Sequence, residues 1–187
     1  MTRAQMKKDT PIQYDSLPDI SKDFVNEMQW RSMSAMGAMR IFDISVKETH
    51  KEYFDYQSIP NITLSFAISQ IASLIDGRGK LSIKVSKSHE GRYLVDKGRF
   101  KKLLPSLSDA EFLRIYNKVS NLFIKNEKLV GRILYTRHNR IAHASISSHS
   151  TDNISLSPKN FPKKQFLKFL DQFESIAYQI IFGIELK

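Results

Sequence analysis

Apolar residues recur at three- and four-residue spacing over most of this chain, the pattern of helices that bury one face. From Pro18, Asp19 and Ile20 the positions Phe24, Met28, Trp30, Met33, Met36 and Met39 predict a helix running past Ile44 toward Lys47, with Gly37 a candidate bend. Its methionine stripe reads as core rather than as an adaptable partner surface, and Ala35, Gly37 and Ala38 are small enough for close helix packing. Pro60 and Asn61 mark a stop and a restart, and Ile62, Phe66, Ile68, Ile71, Leu74 and Ile75 predict a second helix that ends at Gly77. Ser108 and Glu111 form a capping box, which starts a helix burying Phe112, Ile115, Val119 and Phe123. After a break near Asn126 comes a helix with Leu129, Val130, Ile133, Leu134 and Ile141 apolar, and residues 162–184 predict a closing helix with Phe166, Phe169, Leu170 and Phe173 on its apolar face.

Between Gly77 and Pro105 the periodicity weakens. Residues 81–85 alternate like a short strand, while 93–95 and 100–104 read as helical. The serine-rich residues 145–157 read as a loop with little to bury. Residues 1–15 are polar, basic and aperiodic, and are expected to be a mobile arm. The prediction is therefore an all-α, single-domain antiparallel bundle of about five to six helices over residues 16–187.

At 187 residues there is chain enough for one good core. The absence of cysteine excludes disulfides, thiolate metal sites and cysteine nucleophiles. No apolar run has signal-peptide or membrane-span length, so the chain is expected to be soluble, cytoplasmic and without membrane contact. The net charge of +10 is concentrated: residues 78–102 hold nine basic side chains against Glu90 and Asp96. Such a surface suits a polyanion, because binding releases condensed counterions. Lys97, Arg99, Lys101 and Lys102 are the candidate RNA-binding residues of this segment, and the alternative is a solvated, solubilising face.

The residues that carry chemistry are 137–143, Arg-His-Asn-Arg-Ile-Ala-His. A guanidinium binds a phosphate through two parallel hydrogen bonds, and an imidazole moves protons near neutral pH, so the pair suits reaction at a phosphodiester. Arg132 and His138 show the same five-residue gap as Arg137 and His143. The flanks, Ile141 and Ala142 before the histidine and a position late in a helix, favour Arg137 and His143. His138 and His143 stand five apart, the wrong spacing for a helical zinc pair, and no metal is expected there. Asp19, Asp23 and Glu27 read as a solvated acidic face in which Glu27 pairs with Arg31. Residues 77–79 read as a turn without a phosphate-loop signature.

An arginine followed by four to six residues and a histidine resembles the signature of the HEPN superfamily, small helical proteins that include many metal-independent ribonucleases. With Ile133, Leu134 and Tyr135 before it and Ile141 and Ala142 inside it, the motif is similar to that of the abortive-infection AbiU-type branch. His138 departs from the Asn or Asp usual after the arginine. The resemblance implies a HEPN-like bundle, catalysis by Arg137 and His143 without a cofactor, and a twofold dimer whose cleft takes residues from both chains.

On one ideal helix Arg137 and His143 do not converge, since positions six apart differ by about 120° in direction and about 9 Å in height. A homodimer, or fraying at Ala142, would bring the two side chains together. The expected reaction is cleavage of RNA by its own 2′-hydroxyl, with Arg140 a further RNA contact, in a protein of toxin or phage-defence type silenced by an antitoxin or regulatory protein. A catalytically silent module binding RNA or nucleotide is the alternative, as is a helical interaction protein. In the structural alternative Arg137 salt-bridges within the bundle and His143 caps a helix. On the catalytic reading, replacing either residue should hardly change thermal melting.

Overall fold

The computed structural model describes residues 14–48, 58–89, 91–138, 156 and 158–182. Among them are six α-helices and one two-stranded ribbon, an all-α bundle. After a short 3-10 turn at Tyr14–Ser16 come α1 (Asp19–Glu48), α2 (Ile59–Ile75), β1 (Val85–Lys87), β2 (Tyr93–Val95), α3 (Lys97–Leu103), α4 (Asp109–Lys125), α5 (Glu127–Thr136) and α6 (Lys163–Phe182).

The long α1 packs on α2 and α6, while α4 lies against α6 and β2. Phenylalanines fill the centre: Phe24 meets Phe100 edge to face at 5.9 Å, and Phe123 packs against Phe169 and Phe173. Such ring pairs add about 0.5–1.5 kcal/mol each beyond the area they bury. The capping box is present, with the Glu111 amide donating to Ser108 Oγ and the Ser108 amide donating to Glu111 Oε2.

The methionine stripe divides. Met28 and Met39 are buried, Met36 is packed at the core's edge, and Met33 faces solvent. Ala35 and Ala38 are buried between helices, as their size suggests, whereas Gly37 is exposed.

Residues 93–95 are a strand and not a helix. Tyr-Leu-Val favours extended backbone, and the next residue, Asp96, is already spent as the N-cap of α3, accepting from the Arg99 amide at 2.9 Å, so no helical turn can be completed before it. The partner strand lies at 85–87, overlapping the predicted 81–85 at Val85, in antiparallel register with Val85 opposite Val95. Tyr93 then lies against Gly131 of α5, where a methyl group would stand 2.8 Å from the phenol oxygen. Tyr14, expected in the N-terminal arm, packs on the core, and its hydroxyl donates to Asn26. Residues 1–13 lie outside the described residues. In the serine-rich stretch Leu156 is buried, its amide donating to Thr136 Oγ1 at 2.8 Å, so the chain returns there against the end of α5.

Candidate functional site

Helix α2 ends at Asp76, whose amide donates to Ala72. Gly77 follows at φ +76°, a left-handed conformation that reverses the chain, and Lys84 passes so close that a side chain at 77 would strike it at 2.9 Å. The reversal holds residues 78–82 beside the end of α5. There Arg137, at the C-cap of α5, points its guanidinium at Asp76, with Nη1 2.9 Å from Oδ2. The helical backbone continues through Arg137 and His138 as a π turn, a feature often found at functional sites.

Asp76 is well buried. Its side chain is 8% exposed, Oδ1 accepts from the Arg78 amide, and Oδ2, with no hydrogen bond among the described residues, faces the charge of Arg137. The pair engages one terminal nitrogen of Arg137, and a guanidinium carries five donors. The Arg78 guanidinium lies 3.4 Å from His138 Nδ1, which accepts from it when that nitrogen carries no proton.

Asp76, Arg78 and Arg137 line a cleft of about 500 Å³ between the first half of α1, the end of α2 and the 78–82 turn. One wall carries Arg78, Lys80 and Arg137, and the other carries Asp19, Asp23 and Glu27. Glu27 is paired with Arg31, as expected, and Arg31 also donates to Gln70 at 3.1 Å. Asp19 and Asp23 make no ion pair among the described residues. The acidic ridge thus has a location its sequence did not reveal, across a cleft from the candidate catalytic arginine.

The other candidate residues are scattered. His143 and Arg140 lie outside the described residues. Arg99 donates from Nε to the Ser82 carbonyl and from Nη2 to the Gly79 carbonyl, bracing the cleft's turn from behind. Lys101 donates to the Leu107 carbonyl and to Asp109, with its ammonium 4.7 Å over the Phe112 ring. Lys97 and Lys102 are exposed, Lys97 lying 5.7 Å over the Tyr116 ring. Of these four cations none lines the cleft.

Of the competing pair, Arg132 donates to the Asn160 carbonyl and is not among the residues that line the cleft. Sequence reasoning missed Asp76 and the role of Arg78 and Lys80 beside Arg137. The usable signal was Asp76 and Gly77 together, a helix end followed by a reversal in a basic run.

Among the described residues no group of three His, Cys, Asp or Glu is placed to hold a metal ion, and no helix is long and apolar enough to cross a membrane. No family model, curated protein or solved structure matches this chain.

Proposed function

We propose that this protein is a metal-independent endoribonuclease of the HEPN type, acting as a homodimer in the cytoplasm as a toxin or phage-defence effector held in check by an antitoxin or regulatory protein. The observation that carries the reading is Arg137, anchored by Asp76 and lining a cleft beside Arg78 and Lys80. His143 takes the proton from a ribose 2′-hydroxyl, that oxygen attacks the adjacent phosphorus, and the bond to the 5′-oxygen breaks, the leaving oxygen taking a proton from water, to give a 2′,3′-cyclic phosphate. Arg137 stabilises the negative charge that builds on the phosphate oxygens. DNA, lacking the hydroxyl, is not a substrate.

A second reading has its own support. The Arg137–Asp76 pair is a structural contact in its own right, and with the cationic wall it suits a module that binds RNA or nucleotide without cutting it. Incubating the purified protein with labelled RNA and labelled DNA in EDTA separates the two. Cyclic-phosphate ends on RNA alone support the nuclease. Binding without cleavage supports the second reading, and strict dependence on a divalent ion removes the histidine mechanism.

A further inference from the structure

The outward face of α1 is apolar where a lone bundle's surface would be polar. Trp30 is 61% exposed, and Met33, Ile41 and Ile44 are likewise more than half exposed. With Gly37 these residues fall at spacings of three and four, so they share one stripe of the helix. One exposed charged residue, Arg40, three residues from Gly37 and four from Ile44, borders the stripe.

Helix α2 extends this surface. Ile59, Ile62 and Phe66 make a second exposed stripe at the same spacing. The Arg31–Gln70 hydrogen bond, and the shared cleft of the first half of α1 with the end of α2, set the two helices antiparallel. That register puts Phe66, Ile62 and Ile59 level with the span from Met33 to Ile44.

The stripe on α1 is symmetric about Gly37. Met33 and Ile41 stand four residues to either side, and Trp30 and Ile44 seven. A twofold axis through Gly37 would therefore set Met33 against Ile41 of a second copy, and Trp30 against Ile44, each contact made twice, as an isologous interface requires. At Gly37 an added Cβ would meet nothing within 4 Å, which leaves room for another helix backbone. The seven side chains are each between 46% and 61% exposed, and a standard interface draws about 800 Å² from each partner, the scale that large apolar residues of this number supply. Helix α5 exposes no large apolar side chain among its described residues.

We infer that a second copy of this chain docks on the α1/α2 face, the α1 helices crossing antiparallel at Gly37. This takes up the dimer of the proposed reading but moves its contact from the motif helix to α1 and α2. Its test uses no RNA, so its failure and that of the nuclease reading are distinguishable.

Trp30 is the chain's only tryptophan, and cysteine is absent, so both probes are clean. Light scattering at tens of micromolar should give twice 21.6 kDa. Trp30 emission should be blue-shifted and move red on dilution. Ile41→Glu and Ile62→Glu, at positions exposed in the single chain, should each yield a monomer with unchanged circular dichroism and red-shifted emission. Gly37→Cys should cross-link to itself with a short bis-maleimide, and Lys102→Cys should not. A wild-type monomer overturns the inference, as does a dimer that survives Ile41→Glu with solvent-exposed Trp30.

Discussion

Arg137 Nη1 and Asp76 Oδ2 stand 2.9 Å apart, joining the C-terminal ends of α5 and α2 at the base of the cleft. The candidate catalytic arginine is therefore also a structural one. Removing it leaves a carboxylate that is 8% exposed without its charge partner. Arg137→Ala is expected to cost about 1–3 kcal/mol, or a fall in Tm of about 2–4 °C for each kcal/mol. This replaces the expectation of unchanged melting. Calorimetry of Arg137→Ala, Asp76→Asn and the double variant measures the coupling; if the double variant is simply the sum of the singles, the pair contributes nothing.

The catalytic reading makes a different demand on His143. His143→Ala should lower the RNA cleavage rate at least about a hundredfold, the scale of removing a general base. His138→Ala should be milder, since that ring faces Arg78. Single-turnover rates in EDTA decide it, and equal effects would assign the motif to the other histidine.

The basic residues of α3 should divide into two kinds. Lys97→Gln with Lys102→Gln removes two exposed charges and should flatten the log-log salt dependence of RNA binding by about 0.7 for each phosphate no longer neutralised, without changing Tm. Arg99→Gln should lower Tm instead, by the equivalent of about 1–2 kcal/mol, because its guanidinium holds the Ser82 and Gly79 carbonyls. Titrations at several salt concentrations, paired with melts, test both. An unchanged slope in the double lysine variant means that these lysines are only a solvated face.

Burial, and secondly the Asp171 carboxylate, push the Glu174 carboxyl above its ordinary range. The native state then keeps this proton to a higher pH than the unfolded chain does, so stability falls as pH rises through the window between the two. Glu174→Gln should melt higher than wild type at neutral pH, and the difference should vanish below about pH 4, where both states are protonated. A difference in Tm that does not vary with pH would show that titration of Glu174 is not its cause.

Much of the fold is written in local pattern. The spacing of Phe112, Ile115, Val119 and Phe123, and the capping box at Ser108, fix α4 because helix formation and its start are local, four-residue events. The starts of α1 and α6 and the end of α2 follow in the same way, and so does the Glu27–Arg31 pair. Local pattern fails at 93–95, where three residues cannot show a period and the pairing partners lie six to ten positions away.

The candidate site was legible only as residue types. Sequence named Arg137 as a cation able to bind phosphate, but its partner Asp76 is sixty-one positions away, and nothing local relates the two. Bringing Asp76, Arg78 and Arg137 to one cleft, and setting Asp19 and Asp23 across from them, depends on the antiparallel packing of α1 on α2 and on the reversal at Gly77. Exposure was decided at the same level. Periodicity marks Trp30, Met33, Ile41 and Ile44 as apolar, yet only the placement of neighbouring helices determines that their stripe faces outward while Met28 and Met39 face in. Sequence sets which faces are apolar, because side-chain direction repeats with the helix; tertiary packing sets which of those faces is covered, because a bundle has room to bury only the faces its helices turn toward one another.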